Sequence, residues 1–345
     1  MAASNDLRLV LLIVMLVALF GSLIGDRLFG ELGLRSMAFQ LPELGLLSLA
    51  MMVSMLSGGI DLSVIATANL SALAVTYALS TGPGAGAALA AWEVAAIAAG
   101  LATAAAVGVM NGFIVGYLRV SPILATLGTM TLVKGLAIGL THGSVLSGFP
   151  KAIVFLGNGS VYGLPAPLLI FLAIAAPVSV VLTRSPLGVR IAMFGSNERA
   201  VRFSGIDARG VALRTYLLSA VLAFFAGLVM MARFDTANAA YGESYLLVTI
   251  LVCVLGGVNP AGGFGRVSGL VLSLVVLQII STACVVLGLS QFLTLAIWGG
   301  ILTLVGGLDA LGTNDVLSQL RLVLGDRFPS GAKSFPLESK PDELS

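Results

Sequence analysis

Three charged side chains sit inside or at the ends of long apolar runs, and any chemistry would start from them: Asp61, Glu93 and Lys134. A charge at the centre of a membrane helix costs about 2.5 to 3.5 kcal/mol on insertion scales, so such a residue faces a cavity or a partner. Asp61 lies at the junction of two apolar runs, where a carboxylate can cap backbone amides or line a path. Lys134 is placed to pair with a carboxylate or to line a wet passage, and Glu93, beside Trp92, suits the membrane interface. No catalytic set accompanies them. The sequence holds one histidine, His142, and two cysteines, Cys253 and Cys284, both within apolar runs. Neither a disulfide framework nor a His/Cys metal site can be assembled from these. There is no Gly-x-x-x-x-Gly-Lys phosphate loop, and one loop histidine leaves no Ser/His/Asp arrangement. The expectation is a chain that is not an enzyme and carries no cofactor of its own.

The elements that would hold these residues are membrane helices. Hydrophobic residues make up 58% of 345 positions, charged residues 10%, and the mean hydropathy is +1.06. Those values place the chain among polytopic membrane proteins. At about 20 apolar residues per span, the length allows about ten transmembrane helices in an all-α fold. The runs begin at 7–25, taken as an uncleaved first span. A charged segment at 26–40 is expected outside, and Pro42 opens the second span. Further spans are expected at 64–80, 87–118, 122–141, 164–183, 213–233, 245–257, 266–287 and 290–308. A turn at 82–86 joins the third and fourth. Residues 1–309 thus form one transmembrane domain, followed by a hydrophilic cytoplasmic tail at 310–345.

Charge orients this domain. The stretch 184–214 carries six of the 18 basic residues against two carboxylates, Glu198 and Asp207. A loop this basic stays in the cytoplasm, between the sixth and seventh spans. On this topology 13 basic residues are cytoplasmic and four external, with Lys134 inside a span, and both termini are cytoplasmic. Within the loop, Asn197 is an N-cap, Glu198 belongs to a first turn, and Gly205 is a helix-ending residue. A short surface helix follows, presenting Glu198, Arg199 and Arg202 outward. It serves either as a docking element for a soluble partner or as a solvated topogenic loop. The net charge of +2 suggests no nucleic-acid partner.

Glycines describe the packing and a candidate path. Gly108, Gly112 and Gly116 recur every fourth residue, as do Gly135, Gly139 and Gly143, a pattern that lets helix backbones approach closely in lipid. Gly58-Gly59-Ile60-Asp61 and Gly256-Gly257-Val258-Asn259 each close one span and precede the next. Paired glycine interruptions of this kind point to a translocation path. Ser57, Gly58, Gly59, Asp61, Thr67, Asn69, Gly256, Gly257 and Asn259 are its candidate lining. A carrier driven by protons would hold more buried carboxylates or histidines, so an ion- or proton-coupled transporter of a small polar solute stands as the alternative to a transporter driven by a separate ATPase.

Four segments in order then carry a resemblance: Ser57-Gly58-Gly59-Ile60-Asp61-Leu62-Ser63; Leu127-Gly128-Thr129-Met130-Thr131 with Gly135-Leu136-Ala137; Gly195-Ser196-Asn197-Glu198-Arg199-Ala200 with Ser204-Gly205-Ile206; and Val254-Leu255-Gly256-Gly257 with Gly262-Gly263-Phe264-Gly265. Together they resemble the permease subunits of ribose-type sugar ABC importers over about residues 42–308, and autoinducer-2 permeases are similar. The resemblance implies two paired permease subunits, either a homodimer or a paralogous heterodimer. It also implies ABC ATPase subunits that hold the ATP, a periplasmic sugar-binding protein, and a bacterial inner-membrane location. The segment from Asn197 to Ile206 matches the stretch that contacts the ATPase. Ile65 departs from the pattern, which often has glycine after Asp-Leu-Ser-Val.

Overall fold

The computed structural model describes residues 2–82 and 88–312. Thirteen helices run in the order α1 (Ala2–Phe29), α2 (Glu31–Leu56), α3 (Val64–Ser80), α4 (Ala88–Gly116), α5 (Pro122–Thr141), α6 (Lys151–Asn158), α7 (Ala166–Arg184), α8 (Pro186–Ser196), α9 (Glu198–Phe203), α10 (Ala208–Phe234), α11 (Tyr245–Leu255), α12 (Val267–Val286) and α13 (Gln291–Gly312). Two two-residue antiparallel ladders, Leu146–Ser147 with Thr236–Ala237 and Ser160–Val161 with Leu164–Pro165, are the strands among the described residues. The chain divides into a unit running to Leu302 and a second from Thr303 onward, whose described part is the end of α13. The expected tail therefore begins as helix at 310–312, and the rest of it, like the turn at 83–86, lies outside the described residues.

Among the described residues seven helices are long and apolar enough to cross a membrane, and Val64–Ser80, Tyr245–Leu255 and Phe292–Leu304 are shorter apolar helices. The protein is a multi-pass helical membrane protein. Its centre is α2, whose residues from Pro42 to Leu56 are all buried, and α10 packs beside it against α2, α3 and α4. A helix buried on every face reads as uniformly apolar, which is why α2 shows no amphipathic stripe. By contrast α1 turns Leu11, Val14, Met15 and Leu23 outward.

Two expectations are corrected. The segment 26–40 is not an external loop, because α2 starts at Glu31, directly after the extended Gly30, and continues through Pro42. Leucine, methionine, alanine and glutamine in that segment are good helix formers. A 26-residue helix also outreaches the hydrocarbon, so its charged first turns stay helical at the rim. The polar loop 184–214 is likewise mostly helical. Ser185 caps α8 by accepting from Gly188 N at 3.2 Å, with Pro186 in the first turn. That Ser-Pro start is a helix signal in its own right.

The glycine pattern divides between two helices. On α4, a methyl group at Gly112 would stand 2.6 Å from Leu213 Cα, and one at Gly108 would stand 2.8 Å from the Tyr216 carbonyl oxygen, so α4 and α10 meet backbone to backbone. On α5 Gly135 and Gly139, and just past it Gly143, meet no neighbour among the described residues. Gly112→Leu is expected to cost about 1 to 3 kcal/mol through overpacking. Gly21→Leu, on the open face of α1, should change stability by less than about 0.5 kcal/mol. Thermal unfolding of the detergent-solubilised chain measures both, and equal losses would contradict the packing.

Candidate functional site: a glycine junction under the basic loop

The helix break after Leu56 frees backbone groups, and two distant segments close on it. Gly263 N donates to Leu56 O at 3.0 Å. A methyl group at Gly262 would stand 2.6 Å from Gly58 N and 2.8 Å from Gly195 Cα, while one at Gly195 would run into Leu56 O. Gly58 (φ 79°) and Gly262 (φ 93°) also adopt backbone angles that side chains resist. The two glycine junctions and the end of α8 therefore converge at one end of the bundle, with no side chain between their backbones. Gly59 sits against Pro122 of α5 and Tyr216 of α10, Gly256 against the backbone of Leu270 in α12, and Gly257 beside Asn5 of α1.

Asp61 anchors this end from within. It is 2% exposed; its Oδ1 accepts from Ser63 N at 3.0 Å and from Ser63 Oγ at 2.6 Å, and its Oδ2 from Ser219 Oγ at 3.1 Å. Asn111 Nδ2 in turn donates to Ser63 Oγ at 2.8 Å. The carboxylate thus caps the start of α3 and ties it to α10 and, through Ser63, to α4. Sequence reasoning missed Ser219 and Asn111, although polar residues within apolar spans were a signal for both.

The other candidate path residues are placed as follows. Ser57 is buried and donates to Ser54 O at 2.7 Å. Thr67 is buried in α3, and Asn69 Nδ2 donates to Ala239 O at 3.1 Å and Tyr241 O at 2.8 Å in the segment after α10. Asn259 is exposed and organises its own turn, Oδ1 accepting from Ala261 N at 3.0 Å. The candidates divide between the junctions and the first turns of α3 and do not form one surface. At the end of α10 Arg233 pairs with the buried Glu43 at 2.6 Å, and Lys134 pairs with Glu243 at 2.7 Å.

On the basic loop the expected helix is present. Asn197 Oδ1 accepts from Ala200 N at 3.0 Å, α9 follows, and Gly205 (φ 75°) ends it. Glu198 and Arg202 pair with each other across one turn, whereas Arg199 is exposed with no ion pair among the described residues. An apolar groove of about 460 Å³ between α7, α8 and α9 is lined by Leu182, Val189, Met193 and Val201. It lies next to Gly195 and Ser196, so a body seated there would touch the same backbone that meets the junctions.

The end of α8 on the basic loop thus meets the broken end of α2 and the loop before α12 backbone to backbone. The model of the family described as "Branched-chain amino acid transport system / permease component" matches residues 33–306, and the chain belongs to that family. It is similar to the ribose import permease protein RbsC of Bacillus subtilis (strain 168), with 30% identity over 290 residues, 84% of this chain and 88% of that one. RbsC of Escherichia coli (strain K12) is 35% identical over 254 residues, 72% and 76% of the two chains. The D-allose transport system permease protein AlsC of the same strain is 27% identical over 300 residues, 87% and 90%. No solved structure matches significantly. The resemblance drawn from the four motifs agrees with these relatives.

Asp61→Leu is expected to leave Ser63 N and the Ser63 hydroxyl proton without their acceptor, at about 1 to 3 kcal/mol for each buried group, while the Ser219 hydroxyl keeps Ala50 O at 3.1 Å. Asp61→Asn keeps an acceptor for Ser63 N and should lose less. Thermal unfolding of the two variants ranks them, and an asparagine variant as unstable as the leucine variant would count against the capping role.

Proposed function

We propose that this chain is the membrane-spanning subunit of an ATP-driven, binding-protein-dependent importer that moves a monosaccharide or related small polyol into a bacterial cell. The observation that carries the reading is the three-way backbone contact of Gly58, Gly195 and Gly262. Displacement of α8 and α9 is transmitted to the ends of α2 and α3 and to the loop before α12 with no soft side chain in between. Stiff coupling of this kind suits rigid-body gating driven from outside the membrane. Asn197, Glu198, Arg199, Arg202 and Gly205 form the docking element for an ABC ATPase that holds the ATP, and the 184–214 segment is the cytoplasmic coupling loop. The family and the named cargoes of the relatives, ribose and D-allose, support the transport class and the sugar chemistry.

The topology under this reading has ten spans, the seven long helices and the three short ones completed by their junctions, in the inner membrane with both termini cytoplasmic and the chain beyond 310 a cytoplasmic tail. A second permease subunit packs on the outer face of α5, where Gly128, Gly135 and Gly139 meet nothing in this chain. A sugar needs a wet route between the two subunits, because hydroxyls left without hydrogen bonds in hydrocarbon cost several kcal/mol each. Gly58, Gly59, Gly256, Gly257 and Asn259 frame its cytoplasmic mouth. Ser57, Asp61, Thr67 and Asn69 hold the walls that move.

Transport into proteoliposomes should require ATP, the ATPase and a periplasmic binding protein, and uptake driven by an ion gradient alone would sink the proposal. Arg199→Glu with Arg202→Glu should leave membrane insertion intact while cutting uptake at least tenfold, a loss of about 1.4 kcal/mol or more in coupling. Normal uptake by this double variant would remove α9 from the coupling path.

A further inference from the structure

Beside the coupling helix lies a second recess, of about 290 Å³, lined by Arg119, Arg202, Gly205, Ile206, Asp207, Ala208 and Arg209. Three arginines face one carboxylate. Asp207 is engaged in capping, its Oδ1 accepting from Arg209 N at 3.1 Å, and Arg202 is paired with Glu198. Arg119 and Arg209 meet no carboxylate at ion-pair distance among the described residues.

Both of these arginines are locally unfavourable. Arg119 has φ 59°, in the left-handed region where glycine would be unstrained. Arg209 sits in the first turn of α10, a turn with no acidic residue, where a cation opposes the helix dipole. Its guanidinium lies over the Tyr117 ring at 5.5 Å, which fixes its direction. An anion in the recess pairs with two guanidiniums that have no carboxylate partner among the described residues and so offsets these costs, without removing the backbone strain at Arg119.

The position of the recess says which anion. It lies between the turn after one membrane helix, α4, and the first turn of another, α10, and the ends of membrane helices lie near headgroup level. Phe113 and Tyr117, stacked at 5.3 Å, and Leu118 are exposed on α4 and the turn after it, an aromatic and apolar rim of the kind found at membrane interfaces. We infer that the recess formed by Arg119, Arg202 and Arg209 binds the phosphate of an anionic phospholipid of the cytoplasmic leaflet. The lipid headgroup is thereby held against α9. The assignment of this leaflet rests on the orientation proposed above, but binding itself does not, and the test needs no ATPase.

The full chain would be purified in micelles containing equal phosphatidylglycerol and phosphatidylcholine, and retained lipid read by native mass spectrometry. Wild type should enrich phosphatidylglycerol about 30-fold, from two basic groups near an anionic headgroup. Arg119→Gln with Arg209→Gln should fall to near parity, and Arg184→Gln, a basic residue outside the recess, should keep the preference. Arg119→Gly separates binding from folding: it relieves the backbone strain, so thermal stability in phosphatidylcholine should hold or rise while the lipid preference drops severalfold. Equal preference in wild type and the double variant would overturn the assignment. Displacement of the lipid by excess inorganic phosphate would overturn it in favour of a soluble anion.

Discussion

A broken helix inside a membrane must close its own backbone hydrogen bonds, and this requirement governs the architecture. The chain breaks after Leu56 and again after Leu255, and the loop of the second break supplies a donor to the end of the first while also closing on itself. Gly263 N reaches Leu56 O at 3.0 Å, Asn259 N reaches Phe264 O at 2.9 Å, and the end of α8 fits between through Gly195. Only residues lacking a side chain permit that approach. The glycines are therefore the means by which three segments far apart in sequence share one contact.

The two ends of the bundle are held by different physics. At the junction end, backbone meets backbone, and the buried Asp61 carboxylate is satisfied by three donors from Ser63 and Ser219. At the other end, side chains do the tying. Lys134 and Glu243 are each substantially exposed, at 39% and 51%, and a pair in that setting contributes on the order of 0 to 1 kcal/mol. Glu43 with Arg233 and Asn69 with the 239–241 backbone are better shielded.

In lipid the packing of helices gains little from the hydrophobic effect, so close approach and hydrogen bonding carry more of the specificity. The α4–α10 contact through Gly108 and Gly112 and the Ser63–Asn111 bond are instances. They also explain why α5, joined to α3 and α4 along Ala125, Thr129, Val133 and Ala137, can present leucines and bare glycines outward without loss to this chain.

What the sequence alone determined follows from local physics. Apolar length located the membrane helices, α5 fell at Pro122–Thr141 as expected, and the capping residues Asn197 and Gly205 delimited α9, because each of these depends on residues within a turn or two. Family membership was legible for the same reason, being written in four short motifs. Tertiary structure decided the rest. Pro42 continues a helix because neighbours bury it, and of two equally spaced glycine series only the one on α4 meets another helix. The two glycine junctions and the basic loop, read separately as a path and a lever, turned out to be one contact. Spacing along a chain cannot report which distant backbones will touch; only the packed bundle fixes that.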